Sequence, residues 1–300
     1  MAQWIELRDP SPEELREHLP SQMFASATEL LAAKLVPGDE PRPRLESHGT
    51  YVFGIFIVAV AVPDEDAVYY QEIDILATAE QLLTVTKTPP DEHSFDTSVP
   101  KAACHPHEPV GMYLFRLVDE IAERWLDLID DLNDEIDELE ENVEIWPGPR
   151  IRTRVSALRH DLLHIRKFLS PLRDAVHKII DGRLELDGTE LFPREIELHF
   201  ADAYDKLLRA TEGLETSREL LGGVRDYFQA KIANDQNEVT KRLTAVASIL
   251  LLPTFIVGLY GQNFRNIPEL HWGFGYAWSW GIIIVTTVIQ VVYFRRKGWL

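Results

Sequence analysis

The spacing of apolar positions changes along this chain, and each change predicts a different element. Residues 51–62 form an almost unbroken β-branched and aromatic run, the pattern of a strand buried on both faces. Residues 68–76 and 81–87 read as further strands, stopped by Thr88-Pro89-Pro90. Ser11-Pro12-Glu13-Glu14 opens a helix, with serine as its cap and proline at the first helical position. Over 108–146 the period lengthens. Trp125, Leu128, Leu132, Ile136, Leu139 and Val143 recur at three- and four-residue steps, a heptad-like stripe on one long helix ended by Pro147-Gly148-Pro149. A second helix is expected over 150–180. A third starts near Pro193 and meets no proline until Pro253. At 1.5 Å per residue, a helix over 195–260 would be on the order of 100 Å long.

Two later stretches are apolar all round. Residues 243–260 carry no charge, and neither do 276–294, which Arg295, Arg296 and Lys297 close. A helix crossing roughly 30 Å of hydrocarbon needs about 20 apolar residues, and lipid leaves helices as the way to satisfy the backbone. Two membrane helices are therefore expected. A pair of buried soluble core helices is the competing reading, and it suits uncharged runs of this length less well. Lys231, Lys241 and Arg242 precede the first run. With the basic cluster after the second, the positive-inside rule puts both flanks, and so both termini, in the cytoplasm and 261–275 outside. Trp272, Trp278 and Trp280 suit an interfacial aromatic belt.

Charge sharpens this division. Of 49 acidic residues only Glu269 lies beyond position 240, so residues 1–240 hold 48 acids against 24 bases, a net of −24. Such a surface repels nucleic acid and gathers cations, although an ordinary acidic soluble domain would carry the same sign. Asp127, Asp130, Asp131, Asp134, Glu135, Asp137, Glu138, Glu140 and Glu141 lie between the apolar positions of the long helix. That face suits cation attraction and plain solvation equally. The next helix is basic in its first half (Arg150, Arg152, Arg154, Arg159, Arg166, Lys167), which predicts antiparallel packing beside its acidic neighbour. The single cysteine, Cys104, excludes an intramolecular disulfide framework. Residues 1–9 have neither a basic start nor an apolar core, so no secretory leader is expected.

Chemistry at single sites is sparse. Cys104-His105-Pro106-His107-Glu108 offers metal-capable side chains at close spacing, but zinc sites usually need four ligands at wider separation, and the segment reads better as a helix start. No nucleophile, base and orienting group come together in the sequence, so an enzyme is not expected. Thr240, Thr244, Ala247, Leu251, Thr254 and Gly258 share one side of the first apolar run at helical spacing. Small and hydroxyl-bearing residues there fit a pore lining or close helix packing. Two spans cannot enclose a pore, and so long a helix needs partners in water. An oligomer with the first span repeated around an axis is expected.

Between the two apolar runs stands Tyr260-Gly261-Gln262-Asn263-Phe264, followed by Pro268-Glu269-Leu270, and the second run ends in Tyr293-Phe294-Arg295-Arg296-Lys297-Gly298-Trp299-Leu300. These residues resemble the end of a CorA-type magnesium channel, whose Gly-Met-Asn signature follows the first membrane helix. Gly261 and Asn263 match it, and Gln262 stands where methionine is expected. Weaker likeness extends to Arg42-Pro43-Arg44, Tyr51-Val52-Phe53 and the acidic helix near Glu135.

The resemblance implies an α+β membrane protein, a pentameric funnel in the cytoplasmic (inner) membrane. Its parts would be an α/β domain over 1–107, an antiparallel helical pair over 108–192, a stalk helix over 193–242, a pore-lining helix over 243–260, an external loop over 261–275, a second span over 276–294 and a basic tail over 295–300. It implies transport of magnesium, and also cobalt, through a filter at Gly261, Gln262 and Asn263. Gln262 would either add amide oxygens or replace a methionine that packs between subunits. Thr240 stands where relatives often carry a large apolar gate, which leaves Leu243 and Leu251 as the apolar rings. Intracellular magnesium would close the pore through acids at Asp202 and Asp226. The partner acid falls near an insertion where Glu29, Asp39 and Glu40 compete. A zinc transporter of the same fold and a non-conducting ion sensor are the alternatives. Zinc prefers histidine and thiolate, and His271 is the one candidate near the mouth.

Overall fold

The structure, a computed structural model, describes residues 2–20, 23, 25–34, 40–62, 67–88, 94–263 and 267–300. The chain divides into two compact units, 1–224 and 225–300, and the division falls inside a helix.

The first unit opens on a five-stranded sheet: β1 Gln3–Arg8, β2 Arg44–Ser47, β3 Val52–Val62, β4 Ala67–Ala77 and β5 Gln81–Thr86, in the order β1-β5-β4-β3-β2. β1 runs parallel to β5 and the other pairs are antiparallel. β3 lies inside the sheet, and residues 51–59 are all buried, as their unbroken apolar run predicts. Helices α1 Pro12–His18 and α2 Ala25–Ala32 cover one face. Leu15 and Leu31 pack there with Tyr51, Phe53, Ile55, Leu76, Leu83 and Val85. Ser11 caps α1 in a capping box with Glu14, and Pro12 is the first helical residue. Thr84 points to the other face, since side chains alternate along β5. There it accepts a hydrogen bond from Trp4 Nε1 (3.0 Å), and Trp4 stacks on Tyr113 of the next long helix.

That helix, α4 Val110–Asn142, follows the short α3 Ser98–Ala102 and precedes α5 Gly148–Ile180 and α6 Arg194–Tyr260. Its predicted stripe, Trp125, Leu128, Leu132, Ile136, Leu139 and Val143, is buried throughout. Trp125 Nε1 donates to Ile57 O (3.0 Å), which satisfies the indole where it enters the sheet domain. The first part of α6 packs on α4. Ser217 Oγ donates to Asn133 Oδ1 (2.6 Å), and Lys206 pairs with Asp119 (2.9 Å) and Glu123 (2.7 Å).

Helix α5 packs beside the acidic α4 as expected, although few of its basic residues find partners there among the described residues. Arg154 pairs with Glu135, but Arg166 reaches Glu215 on α6 and Lys167 reaches Glu40. Arg152 and Arg159 are exposed. Packing of the apolar stripes decides which faces meet, and exposed charge pairs are too weak to override it. Strands β1 and β2 and helix α2 had no clear periodic signal, being short.

In the second unit, α6 continues to Tyr260, a 3₁₀ turn spans Pro268–His271, and α7 runs Gly275–Arg296. Both helices contain a window long and apolar enough to cross a membrane.

Candidate functional site

Ala245 and Ile256 are buried apolar side chains of the last α6 turns, as is Phe294 on α7. Gln290 Nε2 of α7 donates to Ser248 O (3.2 Å), so the side of α6 carrying 245, 248 and 256 faces α7. The predicted stripe lies on the opposite side. Thr240, Leu243, Thr244, Ala247, Leu251, Thr254 and Gly258 are all exposed in the single chain, with Leu243 at 65% and Leu251 at 70%. Most other apolar side chains of this span, Leu250, Phe255 and Val257 among them, are exposed as well.

The three threonines have already placed their protons. Thr240 Oγ1 donates to Gln236 O (2.8 Å), Thr244 Oγ1 to Thr240 O (2.8 Å) and Thr254 Oγ1 to Leu250 O (2.7 Å). A hydroxyl that gives its hydrogen to its own helix offers only lone pairs outward. The stripe therefore offers three neutral side-chain acceptors, at Thr240, Thr244 and Thr254, set among apolar residues and with no carboxylate. It can take hydrogen bonds from the water shell of a cation without stripping that shell, which magnesium resists losing.

At the end of α6 the backbone turns sharply. Gly261 N donates to Val257 O (2.9 Å), closing the last turn. Asn263 then adopts φ 52°, the left-handed region, which asparagine tolerates better than most residues. Gly261, Gln262 and Asn263 are exposed. Phe264 and Arg265 lie outside the described residues. Downstream, Gly275 meets the backbone carbonyl of Glu269 so closely that a side chain would clash, which brings the Pro268–His271 turn onto the start of α7. Trp272 and Trp278 pack edge to face (6.3 Å) beside it.

The acids weighed for regulation fall apart from one another. Asp202 is exposed on α6, and Asp226, also exposed, pairs with the adjacent Arg225 (3.0 Å). Glu29 is exposed on α2. Glu40 lies 3.7 Å from Lys167 and 3.9 Å from His164, so it is already held within its own chain. Asp39 lies outside the described residues. The Cys104–Glu108 segment is an irregular turn ahead of α4. Glu108 accepts from His105 N (2.9 Å) and from Arg116 Nη2 (2.6 Å), and Cys104 Sγ donates to Pro100 O (3.3 Å). Burial raises the thiol's pKa. Among the described residues, no three His, Cys, Asp or Glu side chains come together to hold an ion. Sequence reasoning missed Gln290, whose amide is legible only once the two apolar helices are set side by side.

The described residues thus comprise a five-stranded sheet with long helices, followed by two apolar helices joined through a segment that begins Gly261-Gln262-Asn263. Residues 2–296 match the family described as CorA-like Mg2+ transporter protein, and the chain belongs to that family. It is 36% identical over 187 residues to the cobalt/magnesium transport protein CorA of Thermotoga maritima, covering 62% of this chain and 52% of that one. It is 27% identical over 191 residues to the zinc transport protein ZntB of Yersinia enterocolitica, covering 63% of this chain and 56% of that one. These alignments span little more than half the length of those relatives. Its fold matches the complete structure of the CorA magnesium transporter from Methanocaldococcus jannaschii with a TM-score of 0.78 at 23% identity, over 99% of this chain and 91% of that one.

Proposed function

We propose that this chain forms a homopentameric divalent-cation channel in the cytoplasmic membrane, carrying magnesium and also cobalt, with both termini in the cytoplasm. The observation that carries the reading is the exposed acceptor column on α6, turned away from α7 and ending at Gly261-Gln262-Asn263. Five such columns around an axis would line a pore of neutral oxygens. Asn263 amides at the mouth and threonine oxygens below would hold a hydrated ion through its outer shell, weakly enough to release it. A ring at Leu251 supplies an apolar constriction. Intracellular magnesium is the closing signal, and its carboxylates come from two subunits, Asp202 on one and an acid of the sheet domain on the other. Glu29 is the better candidate for that acid, because Glu40 is already paired.

The deciding experiment is uptake into liposomes containing only this protein, with magnesium, cobalt and zinc compared. Magnesium and cobalt uptake, with zinc weaker, is expected. Zinc uptake exceeding both would replace this reading with a zinc transporter of the same fold. No uptake of any ion would favour a non-conducting sensor.

A further inference from the structure

The pore-side helix has a weak point, and a side chain of its neighbour is aimed at it. Pro253 lies inside α6 and has no N–H, so the carbonyl of Ile249 loses its helical donor. Immediately before it, Ser248 O accepts from Gln290 Nε2 of α7 (3.2 Å). Immediately after it, Leu250 O accepts from the Thr254 hydroxyl (2.7 Å). The two carbonyls on either side of the one that lacks its helical donor thus each take a side-chain donor. Because Ser248 offers a carbonyl oxygen, the amide of Gln290 must present its nitrogen there and its oxygen elsewhere.

That oxygen, Gln290 Oε1, is buried with no hydrogen-bond partner among the described residues, as is Thr287 Oγ1. The two stand three residues apart on α7, on the half-buried side that also carries Phe294. An amide in so apolar a segment is expensive, and a residue that merely packed there would be aliphatic. The other residues of 282–292 are apolar except for Thr286 and Thr287. Gln290 delivers an amide donor to the turn of α6 that precedes Pro253, next to the carbonyl left without its helical donor.

We propose that Gln290 is a positioning residue for conduction, a tie that fixes α7 to the turn of α6 before Pro253 and so sets how readily the pore face of that turn moves. The proposal rests on the channel reading. Conduction by wild type is established first, so that a failure of the channel itself is seen before any variant is compared.

The test measures magnesium uptake into liposomes by the full chain over a series of internal magnesium concentrations. Gln290→Met keeps the volume and removes the donor, whereas Gln290→Asn keeps an amide on a shorter stem. Interhelical hydrogen bonds in membranes are worth roughly a threefold change in equilibrium, so the methionine variant should shift the half-closing concentration by about threefold or more. The asparagine variant should recover part of that shift. A third comparison uses Pro253→Ala, which restores the regular ladder. In that background Gln290→Met should change little, since the loosened turn it acts on is gone. An equal shift with and without Pro253 would overturn the proposal, and so would an unchanged half-closing concentration in Gln290→Met. Recovery of the asparagine variant as an intact oligomer while the methionine variant falls apart would make Gln290 a stability element, and that too would overturn it.

Discussion

Asn263 meets two demands at once, a left-handed backbone at φ 52° and an amide presented at the end of α6. The two can be separated. Asn263→Gly keeps the backbone conformation at little cost and removes the amide, whereas Asn263→Ala removes the amide and strains the turn by about 1 kcal/mol. Both should abolish most liposome uptake. Wild-type uptake by the glycine variant would show that the position serves only the turn. A second residue-scale feature lies in the sheet, where Lys87 bonds Glu72 and pairs with Asp74 (3.0 Å), all three buried. One ammonium faces two carboxylates. Burial, then repulsion from Glu72, raises the Asp74 pKa to about 8. The folded state therefore holds a proton there that the unfolded chain releases near the ordinary aspartate range. Its contribution is full below that range and is lost as pH rises toward 8, at up to about 1.4 kcal/mol per pH unit. Melting temperatures measured between pH 5 and 8 should fall less steeply in Asp74→Asn than in wild type. Equal slopes would mean that the proton is not held there.

Among the elements, the contact of α4 with α6 is set by a missing side chain. A methyl on Gly213 would lie 2.7 Å from Ile129 Cγ2, so the two helices approach as closely as they do because that position is glycine. Gly213→Val should force them apart and weaken the neighbouring Ser217–Asn133 hydrogen bond. Overpacking of this kind typically costs about 1–3 kcal/mol, visible as a lowered melting temperature of the detergent-extracted protein. The α5 arginines show the converse. Arg154 pairs with Glu135 of α4 but Arg166 reaches Glu215 of α6, because charge selects a neighbour only after packing has brought elements together.

For the whole molecule, the acidic region before position 240, with a net of −24, is where the ion-dependent closure proposed above would act. Carboxylates brought together between subunits repel, and a divalent ion between them favours the closed arrangement by binding it preferentially. Magnesium at millimolar concentration should then slow proteolysis of residues before 240 in wild type. Asp202→Ala should lose much of that protection and raise basal uptake. Digestion of wild type at the same rate with and without magnesium would return the acidic surface to plain solvation.

What could be read from the sequence was whatever a local period or a local chemical rule encodes. The stripe on α4, the double burial of β3, the capped start of α1, the two uncharged spans and the Gly-x-Asn turn needed no knowledge of neighbours. The threonine stripe was visible too, and the structure adds that α7 touches another side of α6. Only the tertiary structure decided the rest. The parallel pairing of β1 with β5 joins residues some eighty positions apart. The enclosure of Lys87 by Glu72 and Asp74, the commitment of Glu40 to Lys167, and the reach of Gln290 to Ser248 arise in the same way. Each joins side chains that no spacing rule relates, since distance along the chain carries no information about which surfaces the buried apolar faces will press together.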